Sequence, residues 1–138
     1  MLRRIEKRIF EKGFLSKTCF DDIDALLDAR DEKVFDSEWM RVYTMLKKSN
    51  LDNEIVKQID SIRENSFMRA YALSKSGDIA SCVSDDFELI CKVYVLCLDD
   101  SWLSSLVMVY SDGRFPCGAL EHIDCSVSAA VNKFVGSD

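Results

Sequence analysis

Residues that break a chain into separate parts are scarce in this sequence. It has one proline, Pro116, and five glycines among 138 residues, so no stretch has the composition of a flexible linker. Internal repeats and low-complexity tracts are also missing. A chain of this length buries roughly two-thirds of its unfolded surface. We therefore expect residues 1–138 to form a single domain.

Long apolar runs are absent as well. No segment approaches the roughly 20 consecutive apolar residues that span a bilayer. The basic residues near the N-terminus are not followed by the apolar region of a secretory signal. Glu6 and Glu11 among them disfavour a transit peptide or a membrane-surface helix. We therefore expect a cytoplasmic protein that does not bind a membrane.

Metal-binding signatures are missing too, since the only histidine is His122 and there is no C-x-x-C pair. The segment "CGALEHIDC" offers Cys117, His122 and Cys125, with Cys91 or Cys97 as a fourth ligand. This spacing matches no standard zinc signature, so we expect no metal and no cofactor. Without a secretion signal, the six cysteines and their mainly apolar neighbours predict buried, reduced thiols.

Catalytic motifs are equally hard to find. The sequence has no glycine-rich phosphate loop, no G-x-S-x-G elbow and no H-E-x-x-H motif. A cysteine nucleophile would need His122 as its base, paired with Cys117 or Cys125 and oriented by Asp124 or Glu121. The alternative interpretation of His122 is a surface residue before the last helix. We expect a protein that is not an enzyme.

The first half of the sequence shows helical periodicity, with apolar residues three and four apart. Carboxylates and hydroxyls stand where helices would begin, and glycines and lysines where they would end. These signals predict four helices: residues 2–12 before Gly13, a second capped by Thr18, a third capped by Asp36 and closing near Asn50, and a fourth from Asp52 or Asn53 to near Gly77.

The periodicity then changes. In residues 87–98, "FELICKVYVLCL", apolar positions alternate, and β-branched and aromatic residues are dense, which favours a strand. Phe87, Ile90, Cys91 and Tyr94 also lie three and four apart, so a helix remains open there. Residues 101–110, "SWLSSLVMVY", are interpreted as a second strand.

Turn signals support the same interpretation. Asp112-Gly113 lies between two extended runs, which is typical of a β-hairpin. Pro116 lacks an amide donor and would lie on an edge strand, and Cys82–Val83 would add a further short strand. The tail has helical periodicity again over residues 125–135, with Asp124 or Ser126 as its cap.

Together these elements predict an α+β domain. Four N-terminal helices, in residues 1–77, would pack on a three- to four-stranded antiparallel meander in residues 79–120, and a C-terminal helix would close the domain. The adjacent acidic pairs at 85–86 and 99–100 would then be turn residues at opposite ends of one strand. At the usual strand rise they would be too far apart for joint catalysis.

The formal charge of −6 is unevenly distributed. Residues 1–17 carry six basic and two acidic groups, whereas residues 18–38 carry eight acidic and two basic groups. On the predicted second helix, the carboxylates recur at three- and four-residue steps opposite Phe20, Ile23 and Leu27. Like charges at that spacing oppose folding by a few tenths of a kcal/mol per pair, so a face of one sign indicates either an ordinary solvated helix or a binding surface.

A field of one sign raises the encounter rate with a partner of opposite charge. The predicted partner is therefore a basic protein, and nucleic acid is excluded because its phosphates would be repelled. No particular oligomeric state is predicted. The predicted partner-binding residues are Asp21, Asp24, Asp28, Asp31, Glu32 and Asp36, with Trp39 as an aromatic anchor.

In its small size, acidity, missing catalytic motifs and predicted α+β layout, the chain resembles bacterial immunity proteins. These are small cytosolic inhibitors that neutralise toxins of contact-dependent or polymorphic-toxin systems. The resemblance implies a cognate toxin, often a basic nuclease, whose active site or substrate groove is occluded. It is carried by no motif, so it assigns no residue. A non-catalytic adaptor or regulatory subunit, including a phage-encoded inhibitor of a host protein, is the alternative; a cysteine- or metal-dependent hydrolase ranks third.

Overall fold

A computed structural model describes residues 1–136, and these residues form seven α-helices around α5. Helix α5 contacts α2, α3, α4 and α7, while α1 packs on α4 and α7, and α6 on α7. None of the helices in this range is both long and apolar enough to cross a membrane. The helices are α1 (Leu2–Ile9), α2 (Ile23–Asp31), α3 (Lys33–Leu46), α4 (Asn53–Ser74), α5 (Gly77–Val95), α6 (Ser101–Ser111) and α7 (Val127–Val135).

The predicted α+β class is wrong, because residues 1–136 contain no strand. The predicted strand at 87–98 lies mostly in α5, and the one at 101–110 lies in α6. A helix that is enclosed by its neighbours is apolar on most sides, so its 3.6-residue period is obscured. Helix α5 has this environment, since ten of its residues are buried. Cys82–Val83, predicted as a further strand, belongs to the same helix.

The helix starts are set by side-chain caps. Asp52 accepts from the N–H of Glu54 and begins α4, and Ser126 accepts from the N–H of Ala129 and begins α7, both as predicted. Two predicted caps are wrong. The cap of α2 is Asp22 instead of Thr18, and α3 begins at Lys33, one turn before Asp36.

The predicted hairpin at Asp112-Gly113 is also wrong, since these residues end α6. Gly113 has φ +79, the left-handed conformation that commonly stops a helix. Its carbonyl accepts the backbone N–H of Lys17 at 2.8 Å. A Cβ on Gly113 would lie 3.0 Å from the Gly13 carbonyl oxygen and 3.0 Å from Ser16 Oγ. The end of α6 thus holds the segment between α1 and α2 by close backbone contact.

The prediction that the cysteines are buried is correct only in part. All six are free thiols, and Cys91 is fully buried in α5, where burial raises its pKa to about 12. Cys19 and Cys97, in the segments before α2 and after α5, are exposed. The remaining three are half-buried.

Candidate protein-binding surface

Helix α2 packs on the core through Ile23, Leu26 and Leu27, and it also contributes one buried arginine. Arg30 is the only residue of α2 that is buried, and its side chain is 8% exposed. Its guanidinium donates to both oxygens of Asp86 in α5, with Nη1–Oδ2 at 2.7 Å and Nη2–Oδ1 at 2.9 Å. Paired N–H···O bonds of this kind fix orientation as well as distance. This ion pair therefore helps to fix the position of α2 on α5.

Asp86 accepts two further hydrogen bonds, although it is 0% exposed. The Tyr110 hydroxyl in α6 donates to Oδ2 at 2.6 Å, and the Trp39 indole in α3 donates to Oδ1 at 2.9 Å. Each carboxylate oxygen thus receives two donors, so the buried charge is fully paired. The prediction that Asp85-Asp86 forms a turn is wrong, because Asp86 lies inside α5 and connects four helices.

The guanidinium of Arg30 is enclosed by aromatic rings. It lies 4.4 Å from the centroid of Phe35 and 5.2 Å from that of Phe115, within the range of cation–π attraction. It also donates to the Pro116 carbonyl at 3.2 Å. Pro116 lies in the loop after α6, so its predicted place on a sheet edge is wrong. The Gly118 N–H donates to the Ala29 carbonyl at 3.1 Å, which satisfies one of the free carbonyls at the C-terminal end of α2.

The buried cluster perturbs the ionisation of its members. Burial alone would lower the pKa of Arg30, but the Asp86 carboxylate raises that pKa above its ordinary value. Burial and the same carboxylate raise the pKa of Tyr110 well above its ordinary value. Both groups therefore keep their protons at neutral pH, with Arg30 cationic and Tyr110 neutral.

The outward side of α2 carries unpaired negative charge. Asp24, Asp28 and Asp31 are exposed and follow each other at steps of four and three residues, opposite Arg30. Asp21 is exposed just before the helix and is contacted by the Cys19 thiol at 3.2 Å. The sequence predicts all four carboxylates along the second helix, but only three of them lie on α2, because the helix begins after Asp22 and leaves Asp21 outside it.

Two more predicted carboxylates follow α2 directly, at the start of α3. Glu32 separates α2 from α3, and Asp36 lies in the first turn of α3. Carboxylates near a helix N-terminus are favoured by the helix dipole. We call the exposed set the acidic surface: Asp21, Asp24, Asp28, Asp31, Glu32 and Asp36.

Where the structure describes the chain, the carboxylates of the acidic surface make no ion pairs, unlike some other acidic side chains of the molecule. Within residues 1–136, none of its six carboxylates lies within 4 Å of a lysine or arginine nitrogen. Elsewhere, Arg63 bridges Asp85 and Glu88 at 2.8 and 2.9 Å, and Arg41 contacts Asp100 at 2.7 Å. The negative potential of the acidic surface is thus left uncompensated by direct ion pairs.

Trp39 adjoins this surface in α3 and is half-buried. Its N–H is used internally, on Asp86, and its ring stacks on Tyr43 with centroids 5.5 Å apart and planes at 15°. The Trp39–Tyr43 pair is therefore held in one orientation before any partner binds. The role of Trp39 as a contact residue stays a prediction.

The cysteines and histidine considered for chemistry lie elsewhere, in the loop before α7. His122 is exposed, and within the described residues it makes no hydrogen bond with Cys117 or Cys125. Burial raises the pKa of the Cys117 thiol, whereas a nucleophilic cysteine needs a lowered one. No three His, Cys, Asp or Glu side chains in residues 1–136 are grouped as metal ligands.

Beside this loop, a cavity of about 520 Å³ opens between α6, the loop and α7. Its rim carries cations and carboxylates together, from Arg114, Lys133, Asp112 and Glu121. It contains no residue of the acidic surface and does not include His122. The predicted binding residues therefore lie outside this cavity.

The Arg30–Asp86 pair is the feature that the sequence analysis missed. One signal for it was present, because Arg30 lies three, four and seven residues after Leu27, Leu26 and Ile23, on the apolar face of α2. A single cation on an apolar face indicates a buried counter-ion. No comparable signal marks Asp86, since its partners come from three other helices.

Comparison with known proteins identifies the family. No curated protein matches the chain. The family model described as immunity protein PIM1 matches residues 4–117, which include α2 to α6, nearly all of α1, the acidic surface and the whole Arg30–Asp86 cluster. The match covers well over half of the 138 residues. The chain therefore belongs to the PIM1 family of immunity proteins.

Proposed function

We propose that this protein neutralises a cognate protein toxin in the cytoplasm by placing the acidic surface over a basic active site or substrate groove. Membership of an immunity protein family supports a non-catalytic inhibitor that binds a protein toxin. The observation that carries the finer proposal is the set of six exposed carboxylates on α2 and the start of α3, which have no ion pairs among the described residues.

Electrostatics favours a basic partner for this surface. Complementary charge raises association rates from about 10⁵–10⁶ to as much as 10⁸–10⁹ M⁻¹s⁻¹ at low salt. At physiological salt the screening length is about 8 Å, so carboxylates spaced along one helix still act together on an approaching cation. A nuclease groove built to bind phosphate has the required positive charge. An acidic protein surface would occupy such a groove in place of the substrate.

The first experiment identifies the partner and its effect. Tagged protein is purified from its native cells, and stoichiometric companions are identified by mass spectrometry. The partner is then expressed alone and together with this protein. We expect growth arrest from the partner alone and protection by co-expression. A companion that is harmless when expressed alone would contradict the proposal.

The second experiment tests the acidic surface with the purified partner. Asp24→Lys with Asp28→Lys reverses two charges four residues apart on α2. The matched control is Asp60→Lys with Glu64→Lys, two exposed carboxylates with the same spacing on α4. Both variants change the net charge equally. We expect association at low salt to slow by about tenfold or more for the α2 variant and by less than about threefold for the control.

A third experiment separates an inhibitor from an enzyme. His122→Ala removes the only imidazole of the chain, which any cysteine–histidine mechanism would need as its base. We expect full protection against the toxin in the co-expression assay. Loss of protection by a folded His122→Ala protein would favour an enzyme instead.

A further inference from the structure

The acidic surface leads directly into exposed apolar side chains. Met40 and Tyr43 lie four and seven residues after Asp36 in α3, and these spacings place all three on one face of the helix. Met40 is 44% exposed and Tyr43 is 36% exposed. Methionine and tyrosine are enriched at the centres of protein interfaces. The α3 face thus combines a carboxylate with two typical anchor residues.

Tyr43 is held in place from below. Its ring stacks on Trp39, and the Trp39 indole is fixed by its 2.9 Å hydrogen bond to buried Asp86. A side chain that is already ordered loses less conformational entropy when a partner binds. Asp86 also orients α2 through Arg30. The same buried carboxylate therefore fixes the acidic surface and the aromatic pair relative to each other.

We propose that Met40 and Tyr43, backed by Trp39, form the apolar anchor of the toxin interface. The toxin surface that fits is an apolar depression bordered by lysine or arginine side chains. This inference rests on the proposed function and assigns the association and dissociation rates to different residues. The acidic surface speeds the encounter, and the anchor slows dissociation, because buried aromatic and apolar contacts act mainly on the off-rate.

A second exposed apolar patch offers a matched control. Phe67, Met68 and Tyr71 in α4 are 36%, 61% and 49% exposed. Helix α4 packs on α1 and α5 and carries no residue of the acidic surface. Asp60 and Glu64 are exposed on the same helix, but they are not part of the acidic surface. A partner bound to the acidic surface should therefore leave this patch free, although Met68 and Tyr71 are more exposed than the two apolar side chains on α3.

The test uses the purified toxin partner identified by co-purification. Dissociation rates are measured by surface plasmon resonance for Met40→Ala with Tyr43→Ala and for Met68→Ala with Tyr71→Ala. We expect the α3 variant to dissociate at least about 30-fold faster, as for a hot spot, and to associate within about threefold of the unchanged protein. The α4 control should dissociate at the unchanged rate. Tyr43→Phe, which keeps the stacking ring, should retain most of the slow dissociation.

The outcomes separate this inference from the proposed function. If the α3 variant is folded by circular dichroism and dissociates at the unchanged rate, the anchor is overturned. If the α4 control dissociates faster instead, the interface lies on α4. Slower association of the Asp24→Lys and Asp28→Lys variant would still support the acidic surface in either case. Faster dissociation of the α3 variant without any effect of charge reversal would support the anchor and contradict the electrostatic part of the proposed function.

Discussion

The inner side of α2 carries a buried, paired charge, whereas its outer side carries exposed carboxylates without ion pairs to any described residue. On the inner side, Arg30 is 8% exposed and is paired with Asp86 through two hydrogen bonds. On the outer side, the carboxylates of the acidic surface are exposed and have no ion pairs among residues 1–136. A buried charge without its partner is strongly unfavourable, whereas exposed charges contribute little to folding. The inner charge therefore stabilises the fold, whereas the outer charges are left available to a partner, as we propose.

The largest expected effect is from breaking the inner pair. Arg30→Met replaces the guanidinium with an apolar side chain of similar length. The Asp86 carboxylate then stays buried with only Trp39 and Tyr110 as donors. We expect a loss of about 3–5 kcal/mol in the free energy of unfolding, measured by urea denaturation. The control is Arg41→Met, since Arg41 is 46% exposed and should contribute about 1 kcal/mol or less. Equal losses of unfolding free energy for the two variants would contradict the distinction between a buried and an exposed arginine.

A smaller effect is expected from Tyr110→Phe, which removes one donor from Asp86. A buried acceptor that loses a hydrogen bond costs about 1–3 kcal/mol in unfolding free energy. The raised pKa of Tyr110 also predicts a pH dependence. Above about pH 10 the unfolded chain loses this proton while the folded protein retains it, so stability falls as the pH rises. Tyr110→Phe should make the fall above pH 10 shallower, and an unchanged slope would contradict this.

At the partly exposed pair of Asp100 with Arg41, the effect should be smaller again. Although partial burial opposes it, hydrogen bonds from Arg41 and the Leu103 N–H lower the pKa of Asp100. Its contribution to stability is therefore present above the unfolded pKa of about 3.9 and lost as the pH falls through the folded value. Asp100→Asn retains a helix cap and should cost about 1 kcal/mol or less at pH 7. In urea denaturation, the difference between the two proteins should shrink as the pH falls below about 3.9.

The smallest effect, of opposite sign, is expected on the outer side of α2. Asp28 lies four residues after Asp24 and three before Asp31, without a cation in contact. Asp28→Asn removes like-charge repulsion and should leave the free energy of unfolding unchanged or raise it by a few tenths of a kcal/mol. A loss above about 1 kcal/mol would show that the acidic surface supports the fold.

The sequence predicts the peripheral helices well because each of them has one buried and one solvated side. Helices α1 and α4 lie close to the predicted ranges, and α7 begins at the predicted cap Ser126. The exposed positions of the acidic surface follow from the same periodicity. Whether these residues contact a partner stays a prediction.

The central helices could not be predicted in the same way. Helix α5 buries residues facing α2, α3, α4 and α7, so its apolar residues show no single stripe, and Val93 and Phe87 were attributed to strand propensity. Asp86 was missed because its burial depends on Arg30, Trp39 and Tyr110, which come from three other helices. Such long-range pairing leaves no local pattern in the sequence.

The most direct test of the central claim is the salt dependence of association between this protein and its purified toxin partner. Stopped-flow rates are measured from low to high NaCl for the unchanged protein and for Asp24→Lys with Asp28→Lys. If the acidic surface steers the encounter, the unchanged protein should associate several-fold more slowly as salt rises, and the variant should show a nearly flat profile. Parallel profiles for the two proteins would show that the acidic surface does not guide the partner.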